Sequence, residues 1–220
     1  MDWMQSLRLV APEIFLSVSG LVLLLGAAWG QGRKDARAIN WLALLVLVGA
    51  AAMTLPTLLG KVSGADALAF DSLFSADAFA AFAKVLIFLA CAASLALAPA
   101  FFERHGGYRG EFPVLVIFAA IGMAMMVSST NLLTLYVGLE LNSLAAYVLA
   151  AFLKADERSA EAGLKYFVLG ALASGFLLFG MSLTYGFTGT IAYSGIAAAT
   201  ETGLSTGALF GLTFMFAGLA

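Results

Sequence analysis

The sequence predicts an all-α fold, a polytopic transmembrane helix bundle, on three observations. Of 220 residues, 62% are hydrophobic and 11% charged, against about 45–50% and about 25% in soluble domains; the mean hydropathy is +1.00. The excess is arranged in blocks, roughly 12–30, 39–60, 79–102, 112–128, 131–153, 160–186 and 207–220. Lysine and arginine gather in alternate connectors between those blocks. Blocks of this kind suit helices, which satisfy their own backbone hydrogen bonds in hydrocarbon.

The first block opens on Pro12 and Glu13. A proline at a helix start loses an N–H that has no partner there anyway, and a carboxylate suits the positive end of the helix dipole. The preceding MDWMQSLRLVAPE lacks a basic segment and a small-residue cleavage site, so this block is expected to be a retained helix rather than a removed signal. Pro56 falls late in the second block, where a kink is expected. Residues 61–78 form a connector rich in Gly, Asp and Ser, with room for short helices or interfacial segments. The third block holds the single cysteine, Cys91, read as a small buried apolar residue. Glu111 and Pro113 open the fourth block as Glu13 and Pro12 open the first. After the turn SST, Asn131 is the expected N-cap of the fifth. The sixth block carries Gly170/Ser174 and Ala171/Gly175, two small-residue pairs that predict close helix packing. A second connector, 187–206, precedes the seventh block. That block has 14 residues before Ala220 and reaches about 21 Å, short of the ~30 Å of a span, so the chain is expected to be the front part of a longer one. The organisation expected is residues 1–110 for the first three spans and 111–220 for the start of a repeat.

Connectors 31–38, 103–111 and 154–159 hold Arg33, Lys34, Arg37, Arg104, Arg109, Lys154 and Arg158, while Arg8 and Lys61 fall on the other side. By the positive-inside rule the N-terminus is outside. The net charge of −2 gives no case for nucleic acid as a partner; the expected surroundings are the lipid bilayer.

Glu140 is the leading candidate for function. It lies about 14 Å from Asn131 and about 20 Å from Leu153 along a helix, near the middle of the bilayer, where a carboxylate costs at least about 2.5–3.5 kcal/mol. Tyr136, Glu140, Ser143 and Tyr147 recur at helical spacing and form one polar stripe, which is expected to point into the bundle. Such a group suits ion or proton movement; the plainer alternative is a hydrogen-bonded glutamate that joins helices. Lys165 has two readings. Glu161 four residues before it favours an ordinary helical ion pair; alternatively it is a buried lysine coupled to Glu140, about 10 Å away along the membrane normal and bridged by water or a third group. Lys84 is a weaker candidate. Interfacial snorkelling is its expected state, with Asp77 on the same helical face. His105 reads as a solvated loop histidine, without neighbours for a metal site. There is no GxGxxG opening a helix, P-loop, CxxC pair or axial histidine pair, so no cofactor or metal is expected in this chain.

The segment SSTNLLTLYVGLELNSLAAYVLAAFLKADERSAEAGLKYFVLGALASGFLLFGMSLTYGFTGT resembles the antiporter-like membrane subunits of respiratory complex I. Mrp-type cation/proton antiporter subunits and membrane-bound hydrogenase subunits share much of the pattern. The resemblance implies a 14-helix subunit with two inverted five-helix repeats, each with a broken helix and a central polar axis. It implies proton translocation through Glu140 and Lys165, coupled to quinone reduction elsewhere, with a further lysine as the glutamate's partner just beyond Ala220. NADH, FMN, iron–sulfur clusters and quinone would belong to other subunits. The implied partners are neighbouring antiporter-like subunits, in a bacterial inner membrane with the N-terminus periplasmic. The alternatives are an Mrp-type Na⁺/H⁺ antiporter or hydrogenase subunit, and a purely structural subunit.

Overall fold

The computed structural model describes residues 3–29, 33–60, 67–70, 72–201, 203 and 205–220, with Arg33 and Lys34 as backbone alone. Lys61, read as an outer-side cation, lies outside the described residues, as do the side chains of Arg33 and Lys34. The helices are α1 (Trp3–Leu9), α2 (Ala11–Trp29), α3 (Arg33–Leu58), α4 (Ala78–His105), α5 (Glu111–Val127), α6 (Leu132–Ala150), α7 (Glu157–Thr188), α8 (Tyr193–Glu201) and α9 (Thr206–Leu219). Two short strands, β1 (Leu68–Ala69) and β2 (Phe74–Ser75), join α3 to α4. Among the described residues, α2, α3, α4, α6 and α7 are long and apolar enough to cross a membrane, and α5 and α9 are shorter apolar helices.

Each predicted block is a helix, with ends shifted by a few residues. Pro12 and Pro113 stand in first turns, as expected. The third helix runs through Pro99 to His105, beyond the block read from hydropathy. Its last turns are held by packing: Phe102 meets Tyr108, Phe112 and Phe152 with ring centroids 5.0, 5.0 and 5.7 Å apart. His105 is therefore helical rather than in a loop, exposed, with Nδ1 2.9 Å from the Phe101 carbonyl. Cys91 is buried.

Within the connector 61–78 the described residues form a hairpin rather than a short helix. Leu68 pairs with Ser75 and Ala69 with Phe74, and the turn between them places Phe70 and Ser72 at φ 51° and 62°. Two-residue strands have no stability alone; these borrow it from the stretch between α5 and α6. Ser75 N–H donates to the Ser128 carbonyl at 2.8 Å, and Asn131 Nδ2 donates to the Leu73 carbonyl at 3.0 Å. On the other side of that stretch, Leu132 N–H donates to Ile191 and Tyr193 N–H to Thr130, each at 3.0 Å. The hairpin, the α5–α6 junction and residues 190–193 thus meet on one face. Arg37, Glu103, Tyr108 and Phe152 gather on the opposite face, with an Arg37–Glu103 ion pair joining α3 to α4. There burial lifts the Tyr108 phenol to about 12, the nearby Arg37 charge opposing it.

Two cores result. Leu16, Leu47, Phe88, Leu95 and Ile117 represent the first, built from α2, α3, α4 and α5; buried Asn40 ties it by donating to the Leu95 carbonyl at 3.0 Å. Leu132, Leu177 and Met181 form the second, with Met215 of α9 packed against it. Residue 110 lies in the turn before α5, and α5 serves both sides: Val114 and Ile117 enter the first core, while Gly122 crosses α6. Van der Waals packing rather than hydrophobicity holds helices together in lipid, so small residues set the crossings. Antiparallel α7 and α9 meet at Gly180, Gly211 and Gly218, where an added Cβ would lie 2.6 Å from backbone or side-chain atoms of the other helix.

Candidate functional site

The orientation of α6 is fixed at its start and its middle. Asn131 is the predicted N-cap, its Oδ1 accepting from Thr134 N–H at 2.9 Å. Gly138 then lies flat on α5: a Cβ there would sit 2.8 Å from the Gly122 carbonyl oxygen, and one on Gly122 would sit 2.5 Å from Asn142 N. With that face pressed on α5, the stripe turns toward α7. Ser174 Oγ is 3.4 Å from the Tyr136 hydroxyl. The Tyr147 hydroxyl occupies the space a side chain would need at Gly170, only 2.0 Å from an added Cβ. Ser143 stands one helical turn before Tyr147 on the same face. Gly170 and Ser174 therefore mark close packing as expected, whereas a Cβ on Gly175 would meet nothing within 4 Å among the described residues.

Glu140 sits in the middle of this stripe, half-buried, and its Oε1 is buried with no hydrogen-bond partner among the described residues. A carboxylate oxygen in that state calls for a proton, a cation or water. Tyr136, Ser143 and Tyr147 place hydroxyls, which can both donate and accept, along the same helical face.

Lys165 does not join this group. Its Nζ is 2.5 Å from Glu161 Oε1, with the two side chains 69% and 63% exposed. The expectation of a buried lysine beside Glu140 is not met in this chain. Gly163 packs on Ala151 and Gly170 under Tyr147, and at about 100° per residue Lys165 points away from both.

Lys84 departs from expectation in the opposite sense. It does not snorkel: its Nζ lies 2.6 Å from Glu13 Oε1, with side chains 3% and 5% exposed. Asp77 is not its partner but the N-cap of α4, accepting from Ala80 N–H at 2.7 Å. Glu13 had been assigned only a dipole role. The signal that finds it is topological: α2 and α4 begin on the same face of the membrane, and both residues lie within about 10 Å of those starts.

At the hairpin face, Tyr193 shares a 3.1 Å hydrogen bond with Ser129; burial pushes its phenol upward and that bond opposes the shift. No group of three or more His, Cys, Asp or Glu side chains is placed to hold a metal among the described residues.

Comparison with known proteins places this geometry. The family model for the transmembrane region of NADH:quinone oxidoreductase and Mrp antiporters matches residues 129–220, which include the whole stripe. NADH-quinone oxidoreductase subunit N of Erythrobacter litoralis is 56% identical over 220 residues, covering 100% of this chain and 45% of the relative. The subunit N of Rhizorhabdus wittichii is 56% identical over 222 residues, again 100% and 45%. The chain thus spans less than half the length of these curated relatives. Among solved structures, respiratory complex I from Thermus thermophilus matches with a TM-score of 0.74 at 30% identity, over 94% of this chain and 43% of that one. An Mrp complex from a Dietzia species matches with a TM-score of 0.72 at 22% identity, over 100% and 41%, a likeness of fold alone. The family match thus lies on the helices that build the stripe, and the likeness to NADH-quinone oxidoreductase subunit N runs the length of this chain.

Proposed function

We propose that this protein is the N-type membrane subunit of a proton-pumping bacterial NADH–quinone oxidoreductase and carries part of the proton path through Glu140. In this role it sits in the inner membrane beside other antiporter-like subunits, N-terminus outward, while NADH, FMN, iron–sulfur clusters and quinone are handled by other subunits. The observation that carries the proposal is Glu140 itself, midway along an apolar helix, on a polar stripe that faces α7, with a buried oxygen that has no hydrogen-bond partner among the described residues.

The chemistry follows from charge balance. A charge away from water is costly unless a counter-charge faces it, so bringing a cation toward the carboxylate or withdrawing it drives proton movement along the stripe. Tyr136, Ser143 and Tyr147 supply hydroxyls along the same face over which a proton and water can pass. Lys165 is assigned a peripheral place, because its ion pair with Glu161 is complete and exposed.

The test is Glu140→Gln in the full-length subunit within its complex. Assembly should be retained, while proton pumping into inverted membrane vesicles and coupled NADH–quinone turnover fall severalfold. Normal pumping at normal assembly would remove Glu140 from the mechanism and favour a structural role. Cation exchange in the absence of any redox partner would move the assignment to the antiporters.

A further inference from the structure

Glu13 and Lys84 lie outside the stripe, and a simple clamp between α2 and α4 accounts for only part of their geometry. The Nζ–Oε1 contact is short, 2.6 Å, yet among the described residues neither oxygen of Glu13 has an aligned hydrogen bond. A buried carboxylate that serves only as a clamp is best stabilised when both oxygens are satisfied. Each member of the pair also borders a space. Lys84 lines a void of about 30 Å³ together with Arg8, Thr54 and Thr57. That is the volume of about one water molecule, with hydroxyls to hold it and an exposed residue, Arg8, at its edge. Glu13 lines a groove of about 440 Å³ that also contains Ser17, Phe74 and Thr134. The Phe74 ring, delivered by the hairpin, covers the ammonium with its centroid 4.5 Å from Nζ. Among the described residues, the charged ones lining the two spaces are Glu13, Lys84 and Arg8.

We propose that Glu13 and Lys84 form a second proton-exchanging site, beneath the hairpin and separate from Glu140, that passes a proton between water beside Arg8 and the groove that reaches Thr134. Lys84 gives a proton to Glu13: an N–H bond breaks, an O–H bond forms, and the ion pair becomes a neutral pair. Lys84 is then reprotonated by a hydronium in the void, which leaves water behind. The pair has gained one proton and one positive charge; breaking the Glu13 O–H bond and passing that proton to a water in the groove, which becomes hydronium, restores the start. Contact at 2.6 Å keeps ion pair and neutral pair close in energy in apolar surroundings, because the transfer removes both charges together.

The site rests on the proposed function for its use in pumping but not for its chemistry, and two readouts separate the two. The first is the infrared difference spectrum of the purified full complex between neutral and acidic buffer. A protonated-carboxyl band should appear in the wild type and in Glu140→Gln, and be lost in the double variant Glu13→Gln/Lys84→Met. In Glu13→Asp, which keeps the ion pair and so guards against misassembly of the double variant, the band should shift. A band that is neither lost nor shifted overturns the site. The second readout is protons pumped per NADH oxidised. A severalfold drop in the assembled double variant supports the site's use, and normal pumping there beside impaired pumping in Glu140→Gln overturns that use alone. Normal pumping in Glu140→Gln with the Glu13 band intact removes the proposed function and leaves the site standing.

Discussion

Glu13 and Glu140 are both carboxylates in apolar helices, and the molecule treats them in opposite ways. Glu13 is buried between α2 and α4 with a lysine at contact distance and an aromatic ring over that lysine. Glu140 is half-buried on a helix whose rotation is fixed by backbone-to-backbone contact, yet its buried oxygen is unpaired among the described residues. One site has its charge balanced within α2 and α4; the other has its position determined and its charge balance left open. Rigid placement and open charge are what a group needs if its state is to follow a neighbour's, whereas a sealed pair changes only by moving a proton within itself or to an adjoining water.

The sharpest way to break this contrast is to unbalance the sealed pair. Lys84→Met leaves Glu13 buried without a counter-charge and should cost about 3–5 kcal/mol, read as lost subunit in membranes and a lower unfolding midpoint in detergent. Adding Glu13→Gln should recover most of the loss. If Lys84→Met alone is neutral, the pair is not sealed and the contrast with Glu140 disappears.

The next effect falls on the crossing that positions Glu140. A side chain at Gly122 meets backbone at 2.5–2.6 Å from Asn142 and Gly138, which neither helix can yield without moving. Gly122→Val should destabilise by about 1–3 kcal/mol as an overpacked site. It should also lower turnover in whatever complex assembles, since α6 must shift or rotate and carry Glu140 with it. The same substitution at Gly175, which has nothing within 4 Å, is the control and should leave both quantities unchanged.

Asn131→Ala comes third. It removes the cap to Thr134 and the 3.0 Å bond to Leu73 that ties the hairpin to the α5–α6 junction. A lost cap costs about 0.5–2 kcal/mol. Protease sensitivity should rise first within residues 72–75 and 128–134, because both ends of the lost bonds lie there.

Much of this was legible in the sequence because it depends on one helix at a time. Block length located the spans, the 3.6-residue period put Tyr136, Glu140, Ser143 and Tyr147 on one face, and SSTN marked the cap at Asn131. Features that depend on two distant segments were not legible in the same way. The partner of Lys84 lies on another helix, and spacing along α4 pointed to Asp77, which is occupied as a cap. The hairpin has strands of two residues, too short to carry an alternating pattern. The Gly180–Gly211 crossing needed both α7 and α9 in register before either glycine meant anything. Helical periodicity gives the direction a side chain takes from its own axis; the residue that meets it is decided by packing.

Lys165 sets the small end of the scale. Its pair with Glu161 spans one helical turn and is more than half exposed on both sides, so the pair contributes about 0.3–0.5 kcal/mol at most and less at high salt. Lys165→Ala should therefore change stability by no more than about 0.5 kcal/mol, leave assembly intact, and keep pumping per NADH close to wild type. Glu161→Gln should behave alike, because neither partner leaves a buried charge behind. The comparison with Glu140→Gln is the decisive one. A drop in pumping from Lys165→Ala as large as that from Glu140→Gln, with Glu161→Gln harmless, would mean that in the assembled protein this lysine leaves Glu161 and turns toward the stripe. The face of α7 that carries it would then belong to the proton path, and the open charge balance of Glu140 would have its cation.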